Sequence, residues 1–243
     1  MMKGVVLAGG LGTRLTPLTL ITNKHLLPIY NQPMVFYPIQ TLVRAGIREV
    51  MVVTSGPHSG HFIQVLKNGK EFGLDHLEYG YQNNPVGGIA DALSICEDFA
   101  DRGSLMVILG DNTTDANIGP AVHRFKEGAM IFLKKVPNLR GLGVPVFDKK
   151  NQKKIIMIEE KPKKPKSPYA VTGLYIYDNK VFDYIRRCKP SKRGQLEITE
   201  VNNFYIKAGM MRWEELKGFW SDAGTFESLL KASQYWAKKK GIK

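Results

Sequence analysis

A short apolar strand that runs directly into a glycine-rich loop is the feature that most constrains this chain. Residues 4–8 read Gly-Val-Val-Leu-Ala, and Gly9-Gly10-Leu11-Gly12-Thr13-Arg14 follows at once. Glycines let backbone N–H groups come close to an anion, while Arg14 and Lys24 supply positive charge. The pattern therefore predicts a cradle for phosphate groups, in a protein that handles a nucleoside triphosphate.

Two well-known glycine loops are excluded by the spacing. The P-loop requires Gly-Lys-Ser/Thr after four intervening residues, and no such triplet follows Gly9. The dinucleotide fingerprint requires a third glycine at position 15, where Leu15 stands. An ordinary glycine turn is the simpler alternative. Further residues in the same stretch disfavour it: Thr13, Arg14, Pro17, Lys24, Pro28 and Pro33.

Length allows one large α/β domain or two small ones, and the composition is that of a soluble globular protein. The chain has 243 residues, of which 43% are hydrophobic and 23% charged. It contains no run of 18 apolar residues, and its first residues lack the pattern of a secretory leader. We therefore expect a cytoplasmic protein that does not interact with a membrane.

The formal net charge of +13 raises the question of nucleic-acid binding. The lysines concentrate at 149–166 and 238–243, without interleaved aromatic residues. A solvated basic surface, which also favours anionic small molecules, is the better interpretation, and no specific nucleic-acid partner is expected.

Cys96 and Cys188 lie far apart with no neighbouring metal-ligating pair, so both are interpreted as small buried hydrophobic residues.

Strand-length apolar runs alternate with amphipathic stretches in the first half. The predicted strands are Val5–Ala8, Glu49–Thr54, Leu77–Tyr81, Leu105–Leu109 and Met130–Lys135. The predicted helices are Met34–Ala45, Gly60–Lys67, Ile89–Phe99 and Ala121–Lys126. This alternation predicts an α/β, Rossmann-like fold with a mostly parallel mixed sheet flanked by helices. Functional loops should then gather at the carboxyl ends of the strands, where the glycine loop, Gln82 and Gly110-Asp111-Asn112 stand.

The pattern changes after about residue 140. Shorter strands are predicted at Gly143–Asp148, Lys153–Glu160 and Tyr169–Tyr177, and helices at Lys180–Arg187, Glu197–Ala208 and Phe226–Lys239. No Gly/Ser-rich or Pro-rich linker separates the halves. We therefore predict a single domain over residues 1–243, with a nucleotide-binding lobe at about 1–140 and a smaller sugar-binding lobe at about 141–243.

Several motifs together resemble the signature of the sugar-1-phosphate nucleotidylyltransferases. They are the glycine loop through Pro17, Asn23-Lys24-His25-Leu26-Leu27-Pro28, and Pro33-Met34, and the resemblance extends from residue 3 to about residue 230. It implies transfer of a nucleotidyl group from dTTP to glucose 1-phosphate, with UTP or another sugar 1-phosphate as alternatives. A non-catalytic nucleotide-sugar sensor on the same fold is a third interpretation. A monomer or small homo-oligomer is expected.

The resemblance assigns roles to individual residues on the nucleotide side. Arg14 and Lys24 would contact the triphosphate, and Gln82 would read the base, because an amide both donates to and accepts from a pyrimidine edge. The full predicted nucleotide-binding set is Ala8, Gly9, Gly10, Gly12, Thr13, Gln82, Gly87 and Gly88. The predicted catalytic set is Arg14, Lys24, Asp111 and Lys161.

The resemblance also implies a sugar-phosphate subsite and a magnesium site. The predicted sugar-phosphate residues are Gly143, Glu160, Lys161, Val171, Arg193 and Trp220. Asp111 and Asp222 match the two aspartates that bind Mg²⁺ in the resembled family, although each could instead cap a turn or helix. A phosphate oxygen is already an anionic nucleophile, so no catalytic base is expected.

Overall fold

The computed structural model describes residues 2–241. Its strands are β1 (Lys3–Ala8), β2 (Pro28–Ile29), β3 (Gln32–Pro33), β4 (Glu49–Thr54), β5 (His76–Tyr81), β6 (Leu105–Leu109), β7 (Thr113–Thr114), β8 (Ala129–Lys135), β9 (Gly143–Phe147), β10 (Ile155–Glu160), β11 (Tyr169–Tyr177), β12 (Met211–Glu215) and β13 (Trp220–Ser221). Its helices are α1 (Phe36–Arg44), α2 (Ser59–Leu66), α3 (Ile89–Ser94), α4 (Glu97–Ala100), α5 (Gly119–Arg124), α6 (Val181–Arg187), α7 (Ile198–Lys207) and α8 (Phe226–Lys239). Short 3₁₀ turns occur at Thr13–Leu15, Leu18–Leu20, Lys24–Leu26 and Lys70–Phe72.

A seven-stranded sheet in the order β12-β8-β11-β6-β1-β4-β5 forms the centre of the molecule. The first-half strands β6, β1, β4 and β5 pair in parallel. Strand β11 runs antiparallel to both of its neighbours, β6 and β8, and β12 is parallel to β8. The predicted mostly parallel mixed sheet is therefore confirmed.

Helices cover both faces of this sheet, as the continuous apolar strands require. Along β1, Val5 and Leu7 belong to the hydrophobic cluster that includes residues of α3, α6 and α7. Val6 and Ala8 belong to the cluster on the other face, which includes residues of α1 and α2. Alternate side chains of a strand point to opposite faces, so β1 is buried on both. No helix within residues 2–241 is both long and apolar enough to cross a membrane.

The second half of the chain contributes both to this sheet and to a separate hairpin. β11 has the predicted bounds and lies inside the sheet, while β9 and β10 form an antiparallel hairpin outside it. Strand β12, which the sequence analysis did not predict, forms one sheet edge. The sheet is therefore continuous across residue 140, and the division into two lobes stays a prediction.

One predicted helix is wrong as a single element. Residues 89–99 form two helices, α3 and α4, because the backbone N–H of Cys96 donates to the carbonyl of Leu93 at 3.0 Å, only three residues back. This tight turn interrupts the four-residue spacing that a continuous α-helix needs. The other predicted elements end within two residues of the observed bounds.

Candidate active site

A cavity of about 590 Å³ is lined by the loops that follow β1, β5 and β6. It brings together most of the predicted site residues: Gly9, Gly10, Thr13, Arg14, Lys24, Gln82, Gly88, Asp111, Gly143, Glu160, Lys161, Val171, Arg193, Trp220 and Asp222. Ala8, Gly12 and Gly87 do not line it. The volume is in the range of cavities that hold small organic ligands.

Hydrogen bonds at Gly10 and Gly12 fix the position of the glycine loop. The Gly10 N–H donates to the Ser55 hydroxyl at 2.9 Å, which ties the loop to the end of β4. Gly12 has φ 63°, and its carbonyl accepts from the Thr19 hydroxyl at 3.1 Å. Gly12 therefore shapes the turn from outside the cavity. Ala8, the other predicted residue of this loop that does not line the cavity, is fully buried at the end of β1.

Lys24 and Asp111 form a buried ion pair beside this loop. Lys24 Nζ lies 2.6 Å from Asp111 Oδ2, and the two side chains are 14% and 12% exposed. Asp111 Oδ1 accepts from Asn112 Nδ2 at 2.9 Å, so both carboxylate oxygens have a partner. Burial alone would raise the pKa of Asp111, but the positive charge of Lys24 and the hydrogen bonds from Lys24 and Asn112 together outweigh burial and lower that pKa below the usual range. Asp111 is therefore a carboxylate at neutral pH.

Asn112 joins the metal-candidate carboxylate to the sugar side of the cavity. Its Oδ1 accepts from the Gly173 N–H at 3.0 Å and from Trp220 Nε1 at 2.7 Å. A Cβ on Gly173 would lie 2.6 Å from Asn112 Nδ2, so only glycine allows this approach. The sequence places Asn112 after a strand, but its contacts with residues 61 and 108 positions away are tertiary.

His25 is a buried titratable group that the sequence analysis left without a role. It is 1% exposed, and its Nδ1 lies 2.8 Å from Asn23 Oδ1. Burial and the adjacent Lys24 lower the pKa of His25 to about 3, so the ring is neutral at physiological pH. A Cβ on Gly110 would lie 2.7 Å from His25 Cδ2, which shows that the ring packs tightly beneath the Asp111 loop.

The side chains of Arg14 and Asp111 come together at Gly224, two residues after Asp222. An added Cβ at Gly224 would lie 3.0 Å from Arg14 Nη2, 3.1 Å from the Asp222 carbonyl and 3.5 Å from Asp111 Oδ2. Burial, and then the negative charge of Asp111, raise the pKa of Asp222 to about 6. The two carboxylates therefore repel each other, and a cation placed between them would relieve the repulsion.

The sugar-phosphate candidates form a second charged group. Glu160 Oε1 accepts from Arg193 Nη2 at 3.1 Å and lies 3.3 Å from Lys161 Nζ. Glu160 Oε2 accepts from the Thr199 hydroxyl at 2.6 Å. Lys161 has φ 47°, a left-handed conformation that is uncommon for a residue other than glycine and is enriched at functional sites.

Gln82, the predicted base reader, is 3% exposed and has a fixed amide. Its Nε2 donates to Asp91 Oδ2 at 2.7 Å and to the Gly88 carbonyl at 3.2 Å. Gly87 does not line the cavity, and a Cβ there would overlap Asp91 Oδ2. Asp91 could not be predicted from the sequence, because no motif marks it and its contact with Gln82 is formed only in the fold.

Known proteins resemble this chain over nearly its whole length. A sequence model of the nucleotidyl transferase family matches residues 3–239. A glucose-1-phosphate thymidylyltransferase of Mycolicibacterium smegmatis is 45% identical over 239 residues, which cover 96% of this chain and 82% of the relative. One of Neisseria gonorrhoeae is 40% identical over 241 residues, covering 96% and 82% of the two chains.

Solved structures agree with the fold. A Bacillus anthracis protein assigned as a glucose-1-phosphate thymidylyltransferase, crystallised with sucrose, superposes with a TM-score of 0.90 at 47% identity and covers 97% of this chain and 95% of its own. An apo UDP-glucose pyrophosphorylase superposes with a TM-score of 0.85 at 23% identity, covering 99% and 100%, and shows the shared fold. Because the family model and these relatives match nearly the whole chain, this chain belongs to the nucleotidyl transferase family.

Proposed function

We propose that this protein transfers a thymidylyl group from dTTP to α-D-glucose 1-phosphate, which yields dTDP-glucose and pyrophosphate. The observation that carries the proposal is that one cavity is lined by the glycine loop with Arg14, by Asp111, and by the basic pair Lys161 and Arg193. Such a cavity offers cationic side chains at both places where a phosphorylated substrate would bind. The relatives named glucose-1-phosphate thymidylyltransferase support the choice of dTTP and glucose 1-phosphate.

In this reaction an oxygen of the sugar phosphate attacks the α-phosphorus of dTTP in line with the departing pyrophosphate. One P–O bond forms, and the bond between the α-phosphorus and the α,β-bridging oxygen breaks, so pyrophosphate leaves with the electron pair. The nucleophile is already anionic, and no proton has to be removed. The task of the protein is to position the two substrates and to neutralise their charge.

On the nucleotide side, the exposed Arg14 guanidinium is free to bind two phosphate oxygens and to stabilise charge on the departing pyrophosphate. Lys24 is held in place by Asp111 and is a fixed cation at the same edge of the cavity. On the sugar side, Lys161 and Arg193 would bind the phosphate, and Glu160 would accept hydrogen bonds from sugar hydroxyls. We also propose that the protein is cytoplasmic and that it is a monomer or a small homo-oligomer.

Asp111 and Asp222 are the residues that would hold Mg²⁺. The donor set fits, because hard oxygen ligands suit this ion and Asp222 is a buried carboxyl close enough to Asp111 for that negative charge to add to the effect of burial on its pKa. Among residues 2–241, no group of three or more Asp, Glu, His or Cys side chains is placed to hold a metal, which suits an ion bound mainly by phosphate oxygens and water. When bound, Mg²⁺ supplies positive charge that offsets the phosphate oxygens.

Pyrophosphate release tests the proposal directly. The purified protein is incubated with Mg²⁺, glucose 1-phosphate and one of dTTP, UTP, CTP, ATP or GTP, and the sugar nucleotide is identified by mass spectrometry. The Asp111→Asn variant serves as the inactive form, and Asp183→Asn, at an exposed aspartate of α6, is the matched control.

We expect dTDP-glucose and pyrophosphate in equal amounts, lost in Asp111→Asn and retained in Asp183→Asn. Equal release with UTP would broaden the nucleotide specificity and leave the reaction class intact. Nucleotide binding without release, for every nucleotide and for other sugar 1-phosphates, would contradict the transferase and favour the sensor.

A further inference from the structure

The orientation of the Gln82 amide is fixed by its surroundings. Two oxygen acceptors, Asp91 Oδ2 at 2.7 Å and the Gly88 carbonyl at 3.2 Å, surround Nε2. With the amide reversed, its oxygen would face a carboxylate oxygen and a carbonyl oxygen, and all of these groups are acceptors. The hydrogen-bond pattern therefore determines which end of the amide faces Asp91.

The other end of the amide, Oε1, lies against Gly9 of the glycine loop, in the wall of the cavity. An added Cβ at Gly9 would lie 2.8 Å from Oε1, and both Gln82 and Gly9 line the cavity. Among residues 2–241, no side chain or backbone N–H donates to Oε1. An acceptor is therefore presented to a ligand at this point.

The surrounding loop is shaped so that Asp91 can occupy its position. Any side chain at Gly87 would collide with the Asp91 carboxylate. Gly88 has φ 100°, and a Cβ there would lie 2.5 Å from the Leu196 carbonyl. The backbone of Leu196 also bonds to this loop, because its N–H donates to the Gly87 carbonyl at 2.8 Å. Packing therefore explains why glycine stands at positions 87 and 88, independently of any contact with a base.

We propose that Asp91 is a positioning residue that fixes Gln82 as a hydrogen-bond acceptor, so that the site selects an imide-type pyrimidine over cytosine. The inference rests on the proposed function, in which Gln82 faces the base. A freely rotating glutamine could accept from the N3–H of thymine or uracil, or turn over and donate to the N3 of cytosine. The amide held by Asp91 can only accept, and cytosine N3 would face it with a lone pair.

The test compares dTTP, dUTP and dCTP as nucleotide substrates. These have the same sugar and triphosphate, and dUTP separates the effect of the 5-methyl group from that of the base edge. The variants are Asp91→Ala, which removes the acceptor, Asp91→Asn, whose side-chain oxygen can still accept, and Asp98→Asn, at an exposed aspartate of α4, as the matched control. Titration calorimetry of the three nucleotides on the same variants gives affinities that do not depend on turnover.

In Asp91→Ala we expect the ratio of kcat/KM for dTTP to that for dCTP to fall by about tenfold or more. A mismatched hydrogen-bond contact between a side chain and a base discriminates between two bases by about that factor. The change should appear in KM and in the measured affinities, with kcat for dTTP retained. Asp91→Asn should restore most of the ratio. In a Gln82→Met background, Asp91→Ala should leave the ratio unchanged, because the amide that it orients is gone.

A role in folding alone would lower activity on all three nucleotides equally and leave the ratios unchanged, and this result would overturn the proposal. If Asp91→Ala does not fold, Gly87→Ala displaces the same carboxylate and is judged by the same ratio. Failure of the unmodified protein to transfer from any nucleotide would count against the proposed function. An unchanged ratio in a protein that transfers from dTTP would count against the role of Asp91 alone.

Discussion

The charged groups on the two sides of the cavity differ in burial. On the nucleotide side, Lys24 and Asp111 form a 2.6 Å ion pair whose side chains are 14% and 12% exposed. On the sugar side, Lys161 and Arg193 are 41% and 44% exposed, and both pair with Glu160, which is 30% exposed. The first pair is enclosed by protein, whereas the second group is partly surrounded by water.

This difference determines what each side can do. Removing one partner of a buried pair leaves a charge without compensation, so Lys24 and Asp111 depend on each other and their geometry is fixed by the fold. Exposed pairs contribute little free energy, and an arriving phosphate can replace Glu160 as the partner of Lys161 and Arg193, while Arg193 keeps its second ion pair with Glu197 at 2.8 Å. We infer that the nucleotide side is formed in advance, while the sugar side rearranges its ion pairs when the sugar phosphate binds.

The largest effect is expected from Asp111→Asn. The variant removes the partner of the buried Lys24 and one of two candidate metal ligands, so kcat should fall by about 10³-fold. The free energy of unfolding should fall by about 3 kcal/mol, because the Lys24 charge stays buried without its partner. Steady-state pyrophosphate release and urea unfolding measure the two quantities.

Asp183→Asn, at the exposed aspartate of α6, should change neither quantity. A fully stable Asp111→Asn protein would show that the Lys24 pair is not the buried, mutually dependent contact that distinguishes the nucleotide side.

Arg14→Lys tests whether the nucleotide side needs a planar fork or only a charge. Lysine keeps the charge but cannot bind two phosphate oxygens side by side, so kcat should fall by about tenfold to 10²-fold, with little change in stability. The matched control is Arg212→Lys, at an exposed arginine of β12. Unchanged kcat in Arg14→Lys would reduce the role of Arg14 to a general attraction of anions.

The fold could largely be predicted from the sequence where strands are buried on both faces. The runs Glu49–Thr54, Leu105–Leu109 and Tyr169–Tyr177 have their predicted bounds, because a continuous apolar run is a direct signal of a central strand. Met211–Glu215 was missed, because an edge strand carries charged side chains and lacks that signal. The position of this strand, β12, at the sheet edge depends on its parallel pairing with β8, which is formed only in the fold.

The candidate site shows the same division. The glycine loop and the strand-end Asp111 could be predicted because each belongs to a local motif. Ser55 and Asp91 could not, because neither belongs to a motif and both act through contacts formed only in the fold, with Gly10 and Gln82 respectively. The assigned roles of the site residues stay predictions.

On the sugar side, Lys161→Gln is expected to act on one substrate only. The KM for glucose 1-phosphate should rise by about tenfold, because one charge-assisted contact to the phosphate is lost, while the KM for dTTP stays the same. Stability should change by less than about 0.5 kcal/mol, since the ion pair with Glu160 is largely exposed. Lys164→Gln, in the same exposed segment, is the matched control. An equal rise in both KM values would remove the distinction between the two sides.

The smallest effect is expected in the stability of Asp222→Asn without divalent cations. Burial and the charge of Asp111 raise the folded-state pKa of Asp222 to about 6, above an unfolded value of about 4. Between these values the unfolded state binds fewer protons than the folded state, so the ionisation of Asp222 lowers stability as pH rises from about 4 to about 6. Asparagine removes this titration, and the variant should be more stable than the unmodified protein by on the order of 1 kcal/mol above pH 6.

Thermal unfolding of both proteins in EDTA across pH 4 to 8 measures that difference, which should be near zero at pH 4, grow up to about pH 6 and then stay constant. The opposite sign is expected for Asp111, whose lowered pKa makes its carboxylate stabilising above its ordinary titration range. Added Mg²⁺ should stabilise the unmodified protein more than Asp222→Asn, because the ion compensates the charge that the variant lacks. A difference independent of pH would mean that neither burial nor Asp111 raises the pKa of Asp222. The Lys24–Asp111 pair would then be the remaining buried charge pair that distinguishes the nucleotide side.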